Sequence, residues 1–124
     1  MRLLLDAHAF LWWLTGSAAL TVRARQAVSD QANEVMLGIG TLWELTIKHS
    51  IGKLNLPHDL ETVLRDERFT VLDISFAHLR ALKALPHLHR DPFDRLLIAQ
   101  ALADQLPIIS GDRVFAGYGA ALIW

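Results

Sequence analysis

Four acidic residues stand where predicted strands and helices begin or end. Asp6 closes the apolar run Leu3-Leu4-Leu5, and Glu44 lies inside Thr41-Leu42-Trp43-Glu44-Leu45-Thr46-Ile47-Lys48. Asp94 opens the apolar stretch Arg95-Leu96-Leu97-Ile98-Ala99-Gln100-Ala101, and Asp112 follows Ile108-Ile109-Ser110 by one glycine. Carboxylates gathered without a cation repel one another and raise their own pKa values. Oxygen-only donors suit hard divalent ions such as Mg²⁺ or Mn²⁺. In an open parallel sheet, ligands bind outside the carboxyl ends of the strands, where Asp6 and Asp112 are expected. The chain is therefore expected to build a metal site from both of its halves.

Each acid also has a simpler explanation. Asp6 can cap the helix that follows. Glu44 and Lys48 stand at i, i+4 in the favourable order, worth only ~0.2–0.5 kcal/mol on an exposed face. With Pro92 at the first helical position, Asp91 reads as an N-cap and Asp94 as its capping-box partner, and both suit the positive end of the helix dipole. Gly111-Asp112 reads as a turn. Four acids at element ends in this order are harder to explain one by one.

The elements that must position them read as alternating strands and helices. Leu3 to Leu5 is a buried strand, followed by a helix over Ala9–Leu14 stopped by Gly16. A second helix starts from Thr21 and runs to about Ala32, and Glu34–Ile39 is a strand ended by Gly40. Helices are expected over Thr41–Ser50 and Leu60–Arg68, a strand over Thr70–Ile74, and a helix over Ser75–Leu85, capped by Ser75 and stopped by Pro86. A long helix, Pro92–Gln105, precedes strands at Pro107–Ser110 and Ala120–Trp124. The pattern implies an α/β protein, a three-layer α/β/α sandwich around a central parallel sheet.

At 124 residues the chain is expected to form one domain over 1–124. The hydrophobic content of 52% and mean hydropathy of +0.28 imply a dense core or apolar surface meant for a partner. A net charge of −1 argues against a broad basic footprint for nucleic acid, leaving room for a local patch. Cysteine is absent, which excludes disulfides and thiolate ligands and fits a reducing, cytoplasmic setting. No secretion signal is expected, because Asp6 breaks the first apolar run. The longest uncharged stretch, Ala7 to Val22, falls short of the ~18 continuous apolar residues of a spanning helix, so no membrane role is expected.

Three segments make the reading specific. These are Leu3-Leu4-Leu5-Asp6-Ala7-His8-Ala9-Phe10-Leu11-Trp12-Trp13, Leu42-Trp43-Glu44-Leu45-Thr46-Ile47-Lys48 and His89-Arg90-Asp91-Pro92-Phe93-Asp94-Arg95-Leu96-Leu97-Ile98-Ala99-Gln100-Ala101. Together they resemble PIN-domain proteins, and more narrowly the VapC-type toxins of bacterial toxin–antitoxin pairs. Ile109-Ser110-Gly111-Asp112 resembles the family's closing Thr-x-Asp, with serine for threonine, and Ala7 stands where relatives commonly carry threonine. The resemblance implies a Mg²⁺- or Mn²⁺-dependent ribonuclease that hydrolyses RNA phosphodiesters by in-line attack of water. It puts the catalytic and metal-binding acids at Asp6, Glu44, Asp94 and Asp112, with Asp91 an additional acid. It also implies a small antitoxin that covers the acidic pocket, often with a basic side chain.

Lys48, Arg95 and Arg113 are the candidates for substrate phosphates, with ion pairing to the acids as their alternative. A homodimer is expected from the apolar content and the two tryptophans of Ala9–Leu14. His8, His49, His58, His78, His87 and His89 show no metal-site spacing with a third ligand, since His87-x-His89 alone is weak, and read mostly as surface or turn residues. Trp12, Trp13 and Trp43 read as core or partner-facing, not as base-stacking platforms. Two rival classes remain: a receiver-like regulatory module, and a non-catalytic PIN-like interaction module. A receiver needs an acidic pair after its first strand and a late lysine. Here a single acid precedes Ala7, and no lysine follows Lys83.

Overall fold

The computed structural model describes all 124 residues. In chain order the elements are β1 (Arg2–Leu5), α1 (Ala7–Thr15), α2 (Val22–Ser29), β2 (Glu34–Gly38), α3 (Ile39–Ser50), α4 (Leu60–Glu67), β3 (Thr70–Leu72), α5 (Phe76–Ala84), α6 (Pro92–Asp104), β4 (Ile108–Ile109), a 3₁₀ segment (Arg113–Tyr118) and β5 (Leu122–Ile123). The strands form one five-stranded sheet in the order β3-β2-β1-β4-β5, and every pairing is parallel.

Successive strand residues point to opposite faces, and that period sorts the core into two layers. Leu3 and Leu5 of β1, Val35 and Leu37 of β2 and Ile109 of β4 pack with Ala9, Phe10, Ala24, Val28, Val63 and Leu64. Leu4, Met36 and Ile108 point the other way, onto Leu85, Leu97, Ile98, Ala101, Phe115 and Tyr118. Helices α1, α2 and α4 thus cover one face, and α5, α6 and the 3₁₀ segment cover the other. This is the three-layer sandwich expected from the sequence.

Chain order reverses between β1 and β4, so their carboxyl ends flank the topological switch point where open α/β sheets bind ligands. Two glycines bring α3 onto α6 beside that point. A Cβ on Gly40 would lie 2.7 Å from a Leu96 methyl, and one on Gly38 would lie 2.6 Å from the Gln100 amide oxygen. Neither position has room for a side chain, and the backbone of α3 lies close against α6.

The boundaries differ from the sequence expectation in ways with local causes. Helix α1 starts at Ala7, because Asp6 caps it directly. Strand β2 stops at Gly38, and Ile39 and Gly40 already belong to α3. Helix α2 ends at Ser29, since the Asp30 carbonyl accepts from the Asn33 N–H at 2.9 Å and its carboxylate from the Ala32 N–H at 2.9 Å, closing a turn. The 3₁₀ segment has no counterpart in the sequence reading. No helix is long and apolar enough to cross a membrane.

Candidate metal centre

Asp6 leaves β1 and enters α1, where its Oδ1 accepts the Ala9 N–H at 2.7 Å. The residue is buried, and burial holds its carboxyl above the usual aspartate range. The Ser110 hydroxyl, the Ala9 N–H and His8 pull it down, and Asp112 pushes it further up. Asp112 sits across the switch point beyond β4. It caps the 3₁₀ segment by accepting from the Val114 N–H at 3.1 Å, and its own N–H donates to Ser110 Oγ at 3.0 Å.

Glu44 reaches the same region from α3. Its side chain is 13% exposed and pairs with Lys48 at 3.5 Å. Burial raises its pKa, Lys48 opposes the shift, and Asp91 and Asp94 add to it. Asp91 is the N-cap of α6, accepting from the Phe93 N–H at 2.8 Å and the Asp94 N–H at 3.1 Å. Asp94 is raised first by burial, then by Asp91 and Asp112, against the lowering effect of His89. Asp6 thus feels Asp112, Asp112 acts on Asp94, and Asp94 and Asp91 act on Glu44. Residues from both halves of the chain lie within electrostatic reach of one another.

A hard divalent ion fits this donor set. The Oδ1 atoms of Asp91 and Asp112 are engaged by backbone N–H groups, and Oε2 of Glu44 faces Lys48. The other oxygen of each of these three carboxylates is left for a ligand. His89, Asp91 and Asp94 each offer a ligand atom within 4.8 Å of the others.

His89 is the residue the sequence reading passed over. Its Nε2 lies 2.9 Å from Asp94 Oδ2, so the Asp94 carboxylate turns to His89 instead of closing the expected capping box. The residue precedes α6 in a loop with no periodicity to flag it, and only its place five positions before Asp94 gave a signal. The phosphate candidates separate as well. Lys48 is tied to Glu44. Arg95 donates to the Pro86 carbonyl at 2.9 Å and to the Tyr118 hydroxyl at 3.2 Å, so it braces the approach to α6 and pairs with none of the acids. Arg113 is exposed and makes no ion pair.

A cleft of about 360 Å³ opens beside the acids, lined by Asp6, His8, Trp12, Gly111, Asp112 and Trp124. Trp12 therefore lines this cleft as well as packing on the core, as expected of it. A larger cavity, about 580 Å³, lies at the amino ends of β2 and β3 beside Trp13, Asp30, Glu67 and Phe69. It is remote from the five acids, and size alone does not mark the site.

The family model described as PIN domain matches residues 3–120. The chain belongs to the PIN domain family. PIN domains are generally nucleases, and this membership sets aside the receiver-like alternative. Among solved structures, this PIN domain is similar to a chain from the crystal structure of VapBC2 from Rickettsia felis bound to a DNA fragment from their promoter. The TM-score is 0.70 at 13% identity, over 98% of this chain and 97% of that one. No curated protein matches it.

Removing the imidazole should weaken ion binding by this PIN domain without unfolding it. A His89→Ala variant is expected to lose about 10- to 100-fold in Mn²⁺ affinity, the usual cost of losing a group that orients a metal ligand. Calorimetric titration reads it directly, and an unchanged affinity would make the His89–Asp94 contact incidental to the site.

Proposed function

We propose that this PIN domain is a Mg²⁺- or Mn²⁺-dependent endoribonuclease acting as the toxin of a toxin–antitoxin pair. The observation that supports this reading is the electrostatic coupling of the acids: Asp6, Glu44 and Asp94 have raised pKa values, Asp112 acts on Asp6 and Asp94, and Asp94 acts on Glu44. A partly buried acidic cluster with only one lysine against it is held at an electrostatic cost. A divalent ion relieves that cost, and function accounts for its persistence. When bound, the ion would supply charge neutralisation at the phosphate and an acidified water for in-line attack.

The chain's own groups then have separate tasks. Asp6 and Asp112, beside the switch point, would hold the ion together with Asp94 of α6 and Glu44 of α3, with Asp91 a further donor. Lys48 fixes Glu44, and His89 fixes Asp94. Arg113, exposed beside Asp112, is available to a flanking RNA phosphate.

The partner part of the proposal rests on apolar surface. Ile39, Trp43 and Ile47 of α3, and Ile51 just past its end, follow one another at four-residue intervals and are all exposed, forming one stripe along the helix that carries Glu44. A small antitoxin seated there can place a basic side chain among the acids, in the ion's place. The similarity to a chain of VapBC2 from Rickettsia felis is compatible with such a pairing. Homodimerisation finds its best surface at Ile74, Phe76 and Leu79, with Phe76 80% exposed. The tryptophans of α1 are less available, since Trp13 donates to Glu67 at 2.9 Å and Trp12 packs against Trp124. A cytoplasmic location and a single-domain organisation belong to the same reading.

The test is incubation of purified protein with RNA and Mn²⁺ or Mg²⁺, with and without EDTA, followed by gel analysis. Cleavage that EDTA stops is the expected result, and intact RNA with both ions overturns the ribonuclease reading in favour of a non-catalytic PIN module. Co-expression with the neighbouring reading frame tests the toxin reading. A copurifying small protein should suppress cleavage, whereas a monomer that binds none and leaves growth unaffected defeats it.

A further inference from the structure

We propose that the cleft beside Asp6 and Asp112 is a base-stacking subsite, which takes the nucleobase next to the scissile phosphate against Trp12 and Trp124. This deepens the ribonuclease reading and rests on it. The cleft's lining divides by chemistry. Trp12, Trp124 and His8 supply aromatic surface, while Asp6 and Asp112 supply carboxylates. A nucleotide carries the complementary pair of features, a flat π-system and an anionic phosphate that needs a cation. At about 360 Å³ the space lies near the lower end of ligand-site volumes, ~300–1,000 Å³, and suits one nucleotide instead of a length of strand.

The aromatic wall is a built feature. The Trp12 and Trp124 ring centroids are 5.8 Å apart, inclined at 48°, and His8 sits 5.8 Å from Trp12 at 35°. Both tryptophans are half-buried and rest against the sheet's hydrophobic core, so their rings are held in place before any ligand arrives. Gly111 fixes the distance between this wall and the acids. A Cβ there would meet the Trp124 ring at 2.7 Å, so the indole lies directly on the backbone that leads to Asp112. No lysine, arginine or amide side chain lines the cleft, which leaves few groups to read a base edge. Recognition is by the π-face, and such stacking tolerates any base.

The experiment is an abasic scan. A single-stranded RNA decamer and its single-site abasic derivatives are cleaved in Mn²⁺ by the wild type and by Trp124→Ala and Trp12→Leu. The wild type should lose about 5- to 150-fold in kcat/KM when the base beside the scissile phosphate is missing, the range of one stacked base. Each variant should lose a comparable factor on the intact decamer and nothing further on that abasic one. A wild type indifferent to every abasic position overturns the subsite, as do variants that lose equally on both substrates. If the variants melt early, the wild-type scan alone decides.

A second measurement separates this outcome from failure of the ribonuclease reading. Adenosine, added in EDTA, should quench wild-type tryptophan fluorescence and ribose should not, with the quench reduced in Trp124→Ala. A wild type that cleaves no RNA yet shows this quench loses the ribonuclease reading and keeps the subsite. Absence of the quench removes the subsite even if RNA is cleaved. Loss of binding to a copurified small protein in Trp124→Ala, with no abasic effect, assigns the cleft to that protein and likewise overturns the proposal.

Discussion

Asp94→Asn is expected to reduce ion-dependent RNA cleavage by about 10³-fold or more, and Asp6→Asn by a similar factor, with the fold intact in both. The factor corresponds to about 4 kcal/mol of transition-state stabilisation, within the several kcal/mol an ion supplies at a phosphoryl oxygen. Asparagine keeps the shape and one acceptor oxygen. Asp6→Asn can therefore still cap α1, because asparagine caps as well as aspartate, and Asp94→Asn can still accept from His89. Charge at the ion is what each variant loses. Steady-state cleavage of an RNA oligonucleotide, alongside far-UV circular dichroism, measures both quantities. Wild-type activity in either variant defeats the catalytic assignment, and a collapsed spectrum assigns the residue a structural task.

The second large effect is on stability, and its sign depends on the ion. Asp6, Glu44 and Asp94 all have carboxyls raised in the folded protein above their ordinary values of 3.8, 4.5 and 3.8, with burial the first cause of each. A raised acid binds more protons folded than unfolded, so its contribution to stability is fullest at low pH and is lost as pH rises through the folded value. In EDTA these three groups should make the protein less stable at neutral pH than just above pH 4. Asp6→Asn should flatten that dependence and raise the neutral-pH melting temperature by a few degrees. Mn²⁺ at about 100 times its dissociation constant should add roughly 2.7 kcal/mol at neutral pH, on the order of 10 °C at this chain length. The difference between wild type and Asp6→Asn isolates the contribution of Asp6. Superimposable wild-type and Asp6→Asn pH profiles in EDTA, with no Mn²⁺ shift, would show that the acids do not form a shared cation site.

The layers and most of the helices were legible because a period of two along the strands and capping signals at the helix starts are local properties. Leu3-Leu4-Leu5 sends alternate residues to opposite layers, and Thr21, Ser75 and Asp91 each cap the helix that follows. Asp6 and Asp112 stand past the carboxyl ends of β1 and β4 as expected, whereas Glu44 lies in the middle of α3, not at an element end, and Asp94 in the first turn of α6. What escaped depends on approach between distant segments. His89 meets Asp94 through a loop, Arg95 is drawn to Pro86 and Tyr118 instead of a carboxylate, and Trp12 meets Trp124 across most of the chain. The glycine of α3 shows the same limit. Gly40 reads as the end of a strand, yet it lies within a helix, where it leaves room for Leu96.

Three of the site's aspartates are also the residues from which α1, α6 and the 3₁₀ segment start, each accepting backbone N–H groups. On the proposed reading catalysis needs their charge, whereas helix initiation needs only an acceptor of the right length. A lineage that abandoned RNA cleavage would thus be released from the charge and still bound by the acceptor, drifting toward asparagine or serine at Asp6, Asp91 and Asp112 before alanine. Aspartate surviving at those positions in a descendant would say little about whether it still cuts. Glu44 starts no helix, and its loss would be the earliest legible sign of retirement from catalysis.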